Sequence, residues 1–155
     1  GMLEKFGGHA MAAGLTLKKA DFPRFAAIFN QQVEKDFALA DRQAVLYTDG
    51  QLKAEELNLA NAECLRAWGV WGQAFPEPLF EGRFQIHGRR QFGEKHVSLN
   101  LGLAGSEWRG EAVVFNQAAT LPSALREIYL AYRLDVSRYG PTPRLQLIVE
   151  HWREA

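Results

Sequence analysis

The sequence predicts a chain of the α+β class, mainly β with helices: a small barrel of five or six short strands, closed or partly open, preceded by a helical N-terminal segment. Three observations predict it. From Arg83 to Trp152 apolar residues alternate with polar ones at a period of two in stretch after stretch. Before that, Phe22, Phe25, Ala26, Phe29 and Val33 recur at helical spacing. So few strands over one core leave costly unpaired edges unless the sheet curls on itself. An open sheet packed on a helix over Glu55 to Trp68 is the alternative.

The elements follow in order. Asp21 is placed to cap the first helix and Pro23 is tolerated in its first turn, so the helix starts there and is expected to bury its aromatic stripe. Residues 36–44 read as a linker. Ala44 to Lys53 reads as a strand. Glu55 to Trp68 reads as a helix with Leu57, Ala60, Cys64, Leu65 and Trp68 on one face and Gly69 at its end. Two prolines and two glycines in GVWGQAFPEPLF forbid regular structure until Leu79. Trp68 and Trp71 are read as packing residues of the helix end and this loop.

The period then becomes two. Phe84, Ile86 and Gly88 share one face of a strand, with Arg83, Gln85, His87 and Arg89 on the other. A turn at Phe92-Gly93-Glu94 leads to a strand in which Val97, Leu99, Leu101 and Leu103 alternate with His96, Ser98, Asn100 and Gly102. Glu107 to Phe115 makes a further strand after a Gly-Ser turn, and Pro122 to Arg126 a short helix or helical turn. Tyr129 to Arg138 places Leu130, Tyr132, Leu134 and Val136 on one face; Arg144 to Trp152 does so with Leu145, Leu147 and Val149.

Composition bounds the function. With 155 residues, of which 47% are apolar and 23% charged, the chain is globular. It has no run as long as the roughly 18 apolar residues of a membrane span and no secretory signal, so no membrane partner and a cytoplasmic location are expected. One cysteine, Cys64, excludes an internal disulfide and reads as a small core residue, and the four histidines are too scattered for a zinc finger. Formal net charge is zero, but Gly82 to Gly110 carries five cations (Arg83, Arg89, Arg90, Lys95, Arg109) against two anions. Tyr47 to Glu63 is the acidic counterpart. Two ordinary solvated surfaces explain this as well as a phosphate-binding stripe does.

FGGHAMAAGLTL, Phe6 to Leu17, is the unusual stretch. Paired glycines before a helix start can form an anion-binding nest, with His9 beside it as a donor; a tight turn ending in a satisfied histidine is the plainer reading. No nucleotide-binding loop, Ser/His/Asp constellation or two-metal cluster accompanies it.

FGGHAMAAGLTL resembles the glycine-rich signature of the DHH-associated domain in the DHH phosphoesterase superfamily. GVWGQAFPEPLFEGRF, GEKHVSLNL, AVVFN and RLQLIVEHW are similar, in that order, to successive signatures of the C-terminal region of RecJ-like single-strand-specific 5′→3′ exonucleases. The resemblance covers nearly the whole chain. Val70 departs from it, standing where proline is expected.

The resemblance implies that residues 1–40 are the C-terminal part of a DHH-associated domain, a helical remnant of an α/β domain. Residues 44–155 would be an OB-fold-like single-strand-binding domain. It implies a role in DNA repair and recombination, with Mn2+ or Mg2+ held by a catalytic domain that precedes this chain, Gly1 being a cloning scar. No catalytic or metal residues are expected in residues 1–155 themselves. Gly7, Gly8 and His9 would hold a phosphate near those metals. Arg83, Arg89, Arg90 and Lys95 would contact DNA phosphates, with His96 and Trp108 as further contacts. The expected partners are single-stranded DNA and the rest of the parent nuclease, with a dimer through exposed Phe22, Phe25 or Phe29 as an artefact of isolating the segment. The zero net charge supports a protein-docking module instead. A phosphoesterase of the same superfamily acting on very short oligonucleotides is the third reading, against which residues 69–152 count, since those relatives lack the barrel.

Overall fold

The computed structural model describes residues 2–37, 45–72 and 74–155. The chain divides into two units, Gly1–Leu46 and Tyr47–Ala155.

In the first unit β1 (Leu3–His9) and β2 (Ala12–Leu17) form an antiparallel hairpin, and a 3-10 turn, Lys19–Asp21, runs into α1 (Phe22–Asp36). Gly7 and Gly8 therefore lie inside a strand, opposite Gly14 and Ala13. Neither has a positive φ, which corrects the expected nest before a helix. The physical reason is the pleat: successive amides of an extended strand point in opposite directions and cannot converge on one anion. Gly8 is required for close approach, since a Cβ there would stand 2.8 Å from the Ala12 carbonyl oxygen. His9 ends β1, and its Nδ1 accepts the Met11 N–H at 3.2 Å, the satisfied turn histidine.

The start of α1 agrees with the sequence, with Pro23 in its first turn, but Asp21 is itself helical and its side chain caps nothing, because the 3-10 turn leads straight in. The aromatic stripe is not buried. Phe22 and Phe29 are 60% and 56% exposed, and Phe29 stacks on Phe25 at 5.7 Å. The described part of this unit offers only a two-stranded hairpin and a short turn, too little surface to cover a helix face.

Residues 38–44, most of the expected linker and the first residue of the expected strand, lie outside the described residues. Residues 45–53 form no strand; Gln51 alone makes a bridge, parallel, to Glu81. The barrel is thus built from five strands without this segment.

Next, α2 spans Leu59–Trp68, four residues shorter at its start than expected. Its true cap is Asn58, whose side chain accepts the Asn61 N–H at 2.8 Å. Just upstream, a turn is closed by the Lys53 N–H donating to Glu56 Oε2 at 2.7 Å. The buried face is Leu59, Ala62 and Leu65, with Leu57 buried just before the helix. Of the expected face only Leu57 and Leu65 turn inward; Ala60 and Cys64 are exposed and Trp68 is 75% exposed, so neither Cys64 nor Trp68 is a core residue. Gly69 is fully extended, φ −175°, rather than a left-handed helix terminator. Trp71 does pack, its ring 4.9 Å from that of Phe75.

Five strands then close a barrel: β3 (Phe80–Phe92), β4 (His96–Leu103), β5 (Arg109–Val114), β6 (Glu127–Ser137) and β7 (Arg144–Glu154). Their order is β3-β4-β5-β7-β6, and β3 pairs with both β4 and β6, so these five strands close on themselves rather than forming an open sheet. All pairs are antiparallel except β5 with β7. Residues 122–126 form a turn rather than a helix, closed by the Leu125 N–H to the Pro122 carbonyl.

The predicted inward faces of β4, β6 and the first half of β7 fill the interior, with Phe84, Leu99, Leu130 and Leu147 at 0% exposure. The ring of Tyr132 meets that of Phe84 edge-on at 5.5 Å, and burial pushes its hydroxyl well above the usual phenol range. Around the outside, Arg133 bridges Glu77 and Glu150. Burial works against its charge, but hydrogen bonds and attraction from the two carboxylates outweigh that and raise its pKa.

Two bulges redirect side chains. Between Ala131 and Tyr132 the β6–β7 register slips, with Ala131 opposite His151 and Tyr132 opposite Val149, and this turns Trp152 onto the core. The other bulge, between Ile86 and Gly88 on β3, reshapes the outer surface.

Trp108 joins the barrel to the segment before α2. Half-buried, it packs against Phe84 with centroids 6.0 Å apart and donates its indole N–H to the Leu57 carbonyl at 2.8 Å. Trp108→Phe keeps an aromatic ring against Phe84 and orphans that carbonyl. The expected result is a loss of about 1 kcal/mol, read as a lower denaturant midpoint at unchanged slope.

Candidate nucleic-acid interface

The bulge at Ile86/Gly88 decides which β3 side chains reach the outer face. Up to Gln85, which sits opposite Gly102, the alternation is as the sequence predicts. Beyond the extra residue, Gly88, Arg90 and Phe92 lie opposite Asn100, Ser98 and His96, all outward positions of β4, while Arg89 lies opposite the inward Leu99. A one-residue slip exchanges the two faces of a strand. Gly88 therefore leaves the inward face assigned to it with Phe84 and Ile86, and Arg89 leaves the outward set of Arg83 and Gln85. Arg89 turns to the barrel end and donates to the Leu121 and Pro122 carbonyls at 2.7 and 2.9 Å. Arg90 takes its place on the outer surface.

There Arg90 and Phe92 form one wall of a groove of about 410 Å3 across the outer faces of β4, β5 and β7. The other side is made by Tyr139, from the β6–β7 loop, and Arg144 at the start of β7. Phe115 closes one end. Phe92, His96 and Phe115 form a cluster, with His96 5.4 Å from Phe92 and 5.3 Å from Phe115. His96 Nδ1 accepts the Asn116 N–H at 3.1 Å, at the one described non-glycine residue with a positive φ, 58°. This fixes the imidazole as a wall of the cluster.

Two rings are open to solvent: Phe115 is 43% exposed and Tyr139 88%. The floor is mixed, with Val113 beside Ser98 and Gln146, and carries a carboxylate. Glu111 accepts the Ser98 hydroxyl at 2.6 Å and lies 3.5 Å from the Arg144 guanidinium, its own side chain 18% exposed.

Of the residues chosen from sequence, the structure brings together Arg90 and His96, with Lys95 exposed in the β3–β4 turn beside them. Arg83 lies on the same strand before the bulge, paired with Glu127. Trp108 stands apart, its indole occupied by Leu57. Gly7, Gly8 and His9 belong to the other unit. The sequence pattern does not single out Phe92, Phe115, Tyr139, Glu111 or Arg144. The signal for Phe115 is its phase, outward with Glu111 and Val113, and that for Tyr139 is an aromatic in a Gly/Pro loop.

Among the described residues, no three His, Cys, Asp or Glu side chains gather to hold a metal ion. The arrangement can instead bind: cations at the rim, aromatic faces for stacking, and hydrogen-bonding groups on the floor. In five-stranded barrels of this connectivity, the face of the second and third strands, with the loops joining strands one to two and four to five, is where oligonucleotides and oligosaccharides bind. Here that face is β4–β5, with the Gly93 turn and the Tyr139 loop.

Comparison with known proteins identifies the family and the fold. A family model described as the RecJ OB domain matches residues 48–151. The chain is 40% identical over 153 residues to the single-stranded-DNA-specific exonuclease RecJ of Dickeya dadantii (strain 3937), covering 97% of this chain and 27% of that protein. To the protein of the same description from Escherichia coli (strain K12) it is 37% identical over 153 residues, covering 97% and 26%. The chain thus spans about a quarter of the length of these relatives. Its fold is similar to that of RecJ from Thermus thermophilus solved with Mg2+, with a TM-score of 0.65 at 23% identity over 99% of this chain and 23% of that one. A structure of the Thermus protein with Mn2+ gives 0.61 at 21% identity, over 99% and 22%.

Proposed function

Because the chain belongs to the RecJ OB domain family, we propose that it is the single-strand-binding portion of a RecJ-like 5′→3′ exonuclease acting in DNA repair and recombination in the cytoplasm. Hydrolysis, with Mn2+ or Mg2+, is assigned to a part of the parent protein outside this chain. The supporting observation is the groove on β4–β5, where open aromatic rings and rim cations meet.

The groove's electrostatics orient the strand. A phosphodiester over Glu111 would meet a carboxylate already screened from water, so the backbone follows the rim at Arg90 and Lys95 and the bases turn inward. Phe115 and Tyr139 then offer faces on which bases of any sequence stack. Gly7, Gly8 and His9 are kept as contacts to the DNA backbone near the metals, made separately by a hairpin backbone and an exposed imidazole rather than by a nest around one phosphate.

The experiment is titration with oligothymidylate at two salt concentrations. Phosphate contacts lower log K with log salt by about 0.7 per contact. A measurable negative slope, and no hydrolysis by the purified chain with Mn2+, are expected. Binding with no salt dependence would favour the protein-docking reading, which the exposed Trp68, Val70 and Phe75 also suit, at 75%, 96% and 57% exposure. Manganese-dependent cleavage would overturn the division of labour.

A further inference from the structure

The outer face of β3–β5 continues past the groove. From Ser98 to Gly102 it runs four residues along β4, about 14 Å. Its floor is low on the way, since position 88 has no side chain and a Cβ there would stand 2.9 Å from Asn100 Nδ2. At the far end Gly102 lies opposite Arg109 on β5 and Gln85 on β3. A methyl group at Gly102 would stand 2.5 Å from His87 Nε2 and 2.9 Å from Arg109 Nη1. Two basic side chains thus converge above a position that only glycine leaves free.

No carboxylate explains the convergence. Arg83, on the same face, is neutralised by Glu127, and Glu111 is engaged by Ser98 and Arg144. None of the ion pairs among the described residues includes Arg109 or His87. Arg109 donates Nη1 to the Trp108 carbonyl at 2.9 Å, which steadies the guanidinium and leaves other N–H groups to donate. Both side chains are exposed. An anion between them gains charge-assisted hydrogen bonds and relieves the crowding of two basic groups.

We propose, on the premise that the groove carries single-stranded DNA, that His87 and Arg109 above Gly102 form a second backbone-phosphate site. It holds the strand after it leaves the Arg90 rim, so that one strand spans both ends of the face.

The test measures the salt dependence of binding of an oligothymidylate of about eight nucleotides, within the usual site size of such barrels, to the chain and to two variants, Arg90→Ala and the double variant His87→Ala/Arg109→Ala. All three residues are exposed, and circular dichroism checks that each variant is folded. Each lost phosphate contact removes about 0.7 from the slope. The double variant is expected to flatten it by one to two such contacts and to weaken binding several-fold. Inorganic phosphate should compete more weakly against the double variant than against the parent chain. If the double variant keeps the parent slope while Arg90→Ala loses part of it, the second site is overturned and the groove reading stands. If the double variant flattens the slope and Arg90→Ala does not, His87 and Arg109 bind phosphate but no strand runs on from the Arg90 rim, and both the groove reading and the spanning strand are overturned. If neither variant changes it, both fall.

Discussion

Replacing Phe115 and Tyr139 by alanine is expected to weaken single-stranded DNA binding by roughly 5- to 150-fold for each ring, while leaving the salt slope unchanged. The magnitude follows from base–aromatic stacking, about 1–3 kcal/mol per base by alanine substitution. The unchanged slope follows from charge, because neither side chain contacts phosphate ionically. Tyr139 is almost wholly exposed, so its loss removes no packing. Phe115 also meets Phe92 at 6.4 Å and His96 at 5.3 Å, so a Phe115→Leu variant separates loss of stacking from loosening of the cluster. Trp68→Ala serves as the control: that ring is 75% exposed but lies outside the groove and should leave affinity as it was. Fluorescence anisotropy with labelled oligothymidylate reads both quantities. Parent-like affinity in the double variant would remove the groove from the binding path.

The contrast between Arg89 and Arg90 shows how far the sequence reaches. They are adjacent, equally charged and drawn from one basic stretch, and periodicity put Arg89 on the outward face. The bulge at Ile86/Gly88 reverses them, and a bulge leaves almost no mark in a pattern of side chains beyond a glycine that also suits an unbroken strand. Where no bulge intervenes, the period-two reading holds residue by residue, as for Val97, Leu99 and Leu101 or Tyr132, Leu134 and Val136. The α2 helix fails differently. Leu57, Cys64 and Trp68 look like one stripe only if the helix begins at Glu55; the Asn58 cap starts it later and leaves Leu59, Ala62 and Leu65 inward. FGGHAMAAGLTL has too few side chains to reveal a period, so a hairpin and a glycine-rich turn before a helix look alike. The groove was legible only in half, because charge can be counted along the chain, whereas the meeting of Phe115 with Tyr139 is made by barrel closure.

Phe84→Ala is expected to cost the Tyr47–Ala155 unit about 3–5 kcal/mol, the usual range for a buried phenylalanine. That is a large share of the roughly 5–15 kcal/mol that keeps a typical domain folded. Position matters as much as size here. Phe84 is 0% exposed and lies on β3, the strand that pairs with both β4 and β6 and so closes the barrel. Its ring meets Tyr132 edge-on and faces Trp108, which in turn holds Leu57. Gly82 leaves room for it, since a Cβ there would come 3.1 Å from the Phe84 ring. Truncation therefore opens a cavity bordered by Tyr132 on β6 and by Trp108 just before β5, and backbone pairing on both sides of β3 prevents that strand from collapsing into it. Phe84→Leu, closer in volume, should cost less than about 1.5 kcal/mol. Denaturant midpoints of the two variants measure the difference, and equal midpoints would mean that the ring is not the keystone of closure. Since the groove is built on the outward face of the same strands, Phe84→Leu should bind oligothymidylate as the parent does. A loss of binding at retained stability would show that the groove depends on the shape of the core beneath it as well as on the side chains that line it.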